Sequence, residues 1–178
     1  MLKKVETELK FQVKDVIDLL NRIDGPKPKI FYVKDKVYGR KGTNWKVRKR
    51  TCFTDKTEVL EQFEKTIPLK ANIKKVLEEE IKEIPEGFEC ENSYEKIRFL
   101  FKRSGYDIAV DFYPIGIFCE IEGPEKVISD VAERLGFELC DNIKENVDTL
   151  YCRWAERNFS KASNRKQPLL HWGFGKLN

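Results

Sequence analysis

An α+β fold, an antiparallel sheet with helices over its apolar face, is what the sequence predicts, and three observations carry that prediction. Segments in which charged and apolar residues alternate recur along the chain, the period of a strand with two unlike faces. A few segments instead repeat apolar residues every three to four positions, the period of a helix packed on one side. The strand-like segments run in blocks between helices rather than alternating with them singly, which favours an antiparallel sheet over a parallel one.

The first strand spans 4–12, where Val5, Leu9 and Phe11 alternate with Glu6, Glu8 and Lys10. A helix follows over 15–23, with Val16, Leu19, Leu20 and Ile23 at helical spacing and Gly25-Pro26 to end it. Alternation returns over 29–38, residues 39–44 read as a turn, and 45–53 read as another strand. Thr54-Asp55-Lys56 makes a hairpin turn into a strand over 57–67. After Pro68, the residues Ile73, Val76, Leu77, Ile81 and Ile84 fall on one helical stripe that Pro85-Glu86-Gly87 ends, so a helix is expected there. Three strands follow over 94–103, 106–112 and 116–122, joined by Ser104-Gly105 and by Tyr113-Pro114-Ile115. A helix over 124–137 turns Val127, Ile128, Val131 and Leu135 inward, and Asp141-Asn142 is expected to cap a last helix carrying Ile143, Val147, Leu150, Tyr151 and Trp154. With no linker or internal repeat, 1–159 reads as one domain and 160–178 as a tail packed on it or extending from it.

Composition excludes several classes. The excess of 34 basic over 30 acidic residues leaves +4, too little to argue for nucleic acid. No apolar run approaches the ~20 residues that span a bilayer, and the first thirty residues lack the apolar core of a signal peptide. Cys52, Cys90, Cys119, Cys140 and Cys152 are scattered and form no CxxC pair, so neither a disulfide framework nor a zinc site is indicated and a reducing cytoplasm is the expected compartment. His171, the only histidine, stands beside Trp172 in the tail, which makes a histidine general base an unlikely design. The phosphate-loop patterns GxxxxGK[ST] and GxGxxG are absent. Glu78-Glu79-Glu80 is read as the solvated face of its helix.

Parity gathers Glu6, Glu8, Lys10, Lys46, Arg48, Arg50, Lys96, Arg98, Asp111, Glu120 and Glu122 on one face of the sheet. A polar face turned to water needs no function to explain it. What argues for one is the mixture of both charge signs across several strands, because lysines and arginines hold anions while carboxylates hold hard cations. Two or three glutamates from facing strands suffice for Mg²⁺. Phosphoryl transfer also needs cations to neutralise the phosphate oxygens, a part that Lys10, Lys46, Arg48, Lys96 and Arg98 fit.

At these residues the chain resembles the CYTH superfamily, the triphosphate tunnel metalloenzymes, which include class IV adenylyl cyclases and thiamine triphosphatases. VETELKF is similar to the family's ExExK strand, NWKVRKR to its strand of alternating basic residues, and YEKIRFLF to its later KxR strand. IAVDFYPIGIFCEIEG resembles the Asp strand and closing acidic strand, and VDTLYCRW the C-terminal helix, with Tyr151 at its tyrosine. The resemblance spans roughly residues 4 to 154 and implies an eight-stranded antiparallel β-tunnel flanked by helices. It implies Mg²⁺ or Mn²⁺ on Glu6, Glu8, Glu120, Glu122 and Asp111, a triphosphate on Lys10, Arg40, Lys46, Arg48, Lys96 and Arg98, and catalytic roles for Lys10 and Asp111. The substrate would be tripolyphosphate, ATP or thiamine triphosphate, hydrolysed or, in a cyclase, converted to cyclic AMP and pyrophosphate; a non-catalytic triphosphate or polyphosphate binder is the remaining alternative. No nucleic acid or membrane partner is expected, and the protein would be a monomer or homodimer.

One departure bears on the site. Only three strands are legible between the first helix and the Ile73 stripe, where the family has four. Either the tunnel has seven strands, or residues 29–41 form two short ones. In one register Lys46 and Arg48 form the basic pair; in the other Arg40 takes that role. The following family glutamate is Glu58, Glu61 or Glu64.

Overall fold

The computed structural model describes residues 3–54, 57–69 and 74–158. Eight antiparallel strands close into a barrel: β1 (Lys3–Val13), β2 (Lys29–Gly39), β3 (Lys46–Thr54), β4 (Thr57–Leu69), β5 (Lys74–Ile81), β6 (Glu89–Arg103), β7 (Tyr106–Tyr113) and β8 (Gly116–Glu122). Around the barrel they run β1-β5-β4-β3-β2-β6-β7-β8, so β1 closes the ring between β5 and β8. Closure leaves no sheet edge to satisfy. The expectation of an antiparallel sheet flanked by helices holds, and the strand count is eight.

The helix expected over the Ile73 stripe is a strand. Leu77 of β5 lies opposite Val5 of β1 on one side and Ile67 of β4 on the other, so this segment supplies the missing wall and β2 remains one strand. Alternation then sends Val76 and Glu78 into the tunnel and Leu77 outward. Residues 55 and 56 of the expected hairpin turn, and the tail from 159 onward with His171, lie outside the described residues.

Three helices flank the barrel: α1 (Val16–Arg22), α2 (Glu125–Arg134) and α3 (Val147–Asn158). Asp15 caps α1 by accepting a hydrogen bond from the Asp18 N–H at 3.0 Å. Leu19 and Ile23 from α1, and Ile128, Val131 and Leu135 at the α2 end, pack against Leu9, Phe11, Ile108, Val110, Cys119 and Ile121 on the outer faces of β1, β7 and β8. Among the described residues no helix is long and apolar enough to cross a membrane.

Asp141-Asn142 does not cap the last helix. Leu139–Asp141 forms a short 3-10 turn, and α3 starts only at Val147. The Asn142 side-chain oxygen instead accepts the Lys10 N–H at 3.0 Å, and the Ile143 N–H donates to the Lys10 carbonyl at 2.7 Å. The described part of β5 pairs with β1 as far as Glu8, and these two bonds satisfy the Lys10 backbone groups beyond it. Val147 then packs with Tyr113 and Phe118, with Tyr94, Leu150 and Tyr151 against that cluster.

Candidate active site

Inward-facing side chains of the barrel enclose a cavity of about 480 Å³. Its walls carry Glu6, Glu8 and Lys10 from β1, Lys46, Arg48 and Arg50 from β3, and Glu64 and Thr66 from β4. Glu78 comes from β5, Tyr94, Lys96 and Arg98 from β6, Tyr113 from β7, and Glu120 and Glu122 from β8. Each alternates with an outward residue, which is why a period of two in the sequence became a lined tunnel.

At one end Glu8, Glu120 and Glu122 bring carboxylate oxygens within 4.8 Å of one another. Register explains the convergence: Glu8 lies opposite Glu122, and Lys10 opposite Glu120. Burial, the neighbouring Glu6 and the two other members of the trio push the Glu122 carboxyl well above the usual carboxylate range. Carboxylates crowded in this way favour either a proton or a hard cation between them. All three donors are carboxylate oxygens, so these residues fit Mg²⁺ or Mn²⁺. Glu6 lies beside them, hydrogen-bonded to Glu78, whose pKa is raised by burial and by the charges of Glu64 and Glu6.

Next to the trio runs a chain of ion pairs. Lys10 Nζ sits 3.2 Å from Glu8 and 3.0 Å from Glu120. Burial opposes its charge, yet those two carboxylates outweigh burial and raise its pKa. Arg98 forks onto Asp111 at 2.7 and 2.6 Å and reaches Glu120 at 2.6 Å. Lys96 donates to the same Asp111 at 2.7 Å, but burial and the adjacent Arg98 lower its pKa to about 8. Farther round the wall, Arg50 forks onto Asp35 at 2.9 and 3.0 Å. Arg48 binds Glu64 at 2.6 Å and Glu78 at 3.0 Å.

The structure thus brings Lys10, Lys46, Arg48, Lys96 and Arg98 to one cavity with Glu6, Glu8, Glu120 and Glu122. Two expected members stand elsewhere. Asp111 is fully buried beneath Lys96 and Arg98, accepts hydrogen bonds from both, and does not line the cavity. Arg40 is exposed in the turn after β2 and also lies outside the lining, whereas Lys46 and Arg48 are within it. Tyr151 packs against the Tyr113 cluster and stacks near Trp154 rather than lining the cavity. Of the alternative glutamates, Glu64 faces inward, while Glu61 pairs with Lys49.

Sequence reasoning missed Glu78, Asp35, Tyr94, Tyr113 and Lys144. Glu78 was hidden by the helical reading of its segment. Asp35, the lone carboxylate on the inward parity of β2, becomes meaningful only once Arg50 is seen opposite it. Arg50 holds Asp35 at about 2 against the opposing effect of burial.

No protein-family model matches the sequence, and no curated protein matches it. Solved structures do. A protein from Pyrococcus horikoshii superposes with a TM-score of 0.64 at 23% identity, over 79% of this chain and 96% of that one. A Vibrio parahaemolyticus protein proposed to be an adenylate cyclase gives a TM-score of 0.67 at 16% identity, over 83% and 97% of the two chains. A Hippeastrum protein, described as a proposed adenylyl cyclase with a dominant triphosphatase activity, gives 0.55 at 14% identity, over 76% and 89%. At these identities the likeness is one of fold: the chain shares its closed antiparallel barrel with these proteins.

Proposed function

We propose that this protein is a divalent-metal-dependent phosphoryl-transfer enzyme that hydrolyses a triphosphate bound in the tunnel. The observation that carries the proposal is the adjacency of the Glu8, Glu120 and Glu122 trio to Lys10 and Arg98, both tied to Glu120. A bound Mg²⁺ or Mn²⁺ would supply charge neutralisation and a polarised water. Lys10, Lys96, Arg98, Arg48 and Arg50 would grip the phosphate oxygens from several sides, which suits a reaction driven by positioning and electrostatic stabilisation. Each of these cations already leans on a carboxylate, so it is aimed before the substrate arrives. Asp111 and Asp35, fully buried behind them, are positioning residues. Convergence of Glu8 with Glu120 favours an enzyme over a mere polyphosphate binder, since a binder needs the cations alone.

One feature favours a substrate with an organic group, as in ATP cyclisation or hydrolysis of an organic triphosphate. Val37, Pro68, Leu69, Val76 and Val147 line part of the cavity together with the neutral amides of Asn44 and Asn146. A bare inorganic chain has no use for apolar wall.

Incubation of the purified protein with Mg²⁺ or Mn²⁺, and either ATP or tripolyphosphate, separates these readings by product. Orthophosphate is the expected product. Cyclic AMP with pyrophosphate would make the protein a cyclase. No turnover of either compound, with tight metal-independent binding of both, would sink the enzymatic reading.

A further inference from the structure

On the outer wall a second cavity, of about 210 Å³, shares no lining residue with the tunnel. It opens where the end of α1, the β6–β7 hairpin and the end of α2 meet, and each contributes one guanidinium: Arg22, Arg103 and Arg134. Asp24 is the one carboxylate in the lining, and Arg22 pairs with Asp18 at 2.9 Å beside it, so three positive charges meet two negative.

A basic residue in a helix's last turn offsets the partial negative charge there, which accounts for Arg22 and Arg134 taken singly. It does not account for a third arginine from a strand, or for the space among the three. Arg103 donates to the carbonyls of Lys102, Asp24 and Pro26, and Arg134 to the Tyr106 hydroxyl at 2.9 Å. Among the described residues neither pairs with a carboxylate, and a guanidinium carries five donors. Each therefore keeps donors that the protein does not use. Two glycines make room for the charged groups. A Cβ on Gly25 would sit 3.2 Å from Arg103 Nε, and one on Gly136 would sit 2.5 Å from Arg22 Nη1. Both glycines have positive φ, +93° and +87°, so side chains are disfavoured there on conformational grounds as well.

We infer that this cleft binds a small phosphate-type oxyanion, orthophosphate or pyrophosphate, independently of the tunnel. Guanidinium forks match the tetrahedral oxygens of a phosphoryl group. The cleft's volume lies below the roughly 300 Å³ at which pockets begin to take drug-sized ligands, which excludes a nucleotide. Behind it, α1 and α2 pack on the strands that carry Glu8, Glu120 and Glu122, so an anion here braces the layer supporting the trio.

The test is amide NMR on the full chain, free of divalent cations, titrated with sodium phosphate or sodium pyrophosphate against sodium chloride of equal ionic strength. Saturable shifts at Gly25, Tyr106 and Gly136 that chloride does not reproduce are expected. Shifts with both anions would mean that one phosphoryl group suffices; shifts with pyrophosphate alone would mean that two are needed. In Arg134→Gln the midpoint at these amides should rise roughly tenfold, the effect of losing one charge-assisted contact. Shifts at tunnel amides such as Lys10 should keep their wild-type midpoint. No saturable shift at the three amides, or wild-type midpoints in both Arg134→Gln and Arg22→Gln, would overturn the assignment.

Discussion

Glu8 is the residue at which the proposed metal site and internal charge balance meet. Its carboxylate belongs to the trio and also pairs with Lys10. Glu8→Ala should abolish metal-dependent turnover while leaving the fold intact, because Lys10 keeps Glu120 and one charge leaves a crowded group. Turnover assays beside a thermal melt check this; undiminished turnover would remove the metal from the trio. Arg98 makes the complementary case. Its fork spans both oxygens of Asp111 and reaches Glu120, a geometry that lysine cannot copy. Arg98→Lys keeps the charge yet should weaken triphosphate binding by about 1–3 kcal/mol. A titration indistinguishable from wild type would place the phosphates elsewhere in the tunnel.

At the scale of elements, β5 is where sequence and structure part. Residues such as Lys10, Arg48, Lys96, Arg98, Glu120 and Glu122 were legible because their strands pair a charged inner face with an apolar outer one. In β5 that contrast fails. Glu78 faces the tunnel, while Glu79 lies opposite Lys65 on the outward parity, so charge appears on both faces and Leu77 and Ile81 fall into a chance helical stripe. What decides the segment is non-local: β1 and β4 each present a backbone ladder that only a strand can fill. The same kind of context set the role of Asn142, whose side chain bonds the Lys10 backbone instead of capping the last helix. Glu80 offers a test by sign. It is exposed and lies opposite Glu64 across the ladder. Glu80→Thr should hold or raise stability by up to about 1 kcal/mol if the segment is a strand, since threonine suits strands and a like-charge pair disappears. In a helix the same change would cost about 0.5 kcal/mol. Denaturant unfolding reads the difference, and a clear loss would return the segment to a helix.

For the whole molecule, the tunnel is a connected network of charges in which the carboxyls of Glu78 and Glu122 are crowded by other glutamates. Inward-facing carboxylates crowd together in part of the described wall, and burial with neighbouring glutamates raises Glu78 and Glu122 above the usual carboxylate range. In the unfolded chain Glu78 and Glu122 titrate near ~4.3; in the folded protein both hold their protons to higher pH. Between those limits the native state binds more protons than the unfolded one, so metal-free stability must fall as pH rises. Asp35, at about 2, contributes constantly across that window, and Lys96, at about 8, changes stability only above it. His171 is the one other side chain whose ordinary pKa lies there, and His171→Asn removes it. The expected result is a metal-free melting temperature lower at about pH 7.5 than at about pH 5.5, in wild type and in His171→Asn. Mg²⁺ held by the ionised trio, as proposed, would have to displace any proton there, so its stabilising shift should be larger at the higher pH. Glu122→Gln removes one of the raised groups and should flatten both dependences. A metal shift equal at the two pH values would mean that the cation binds away from Glu122.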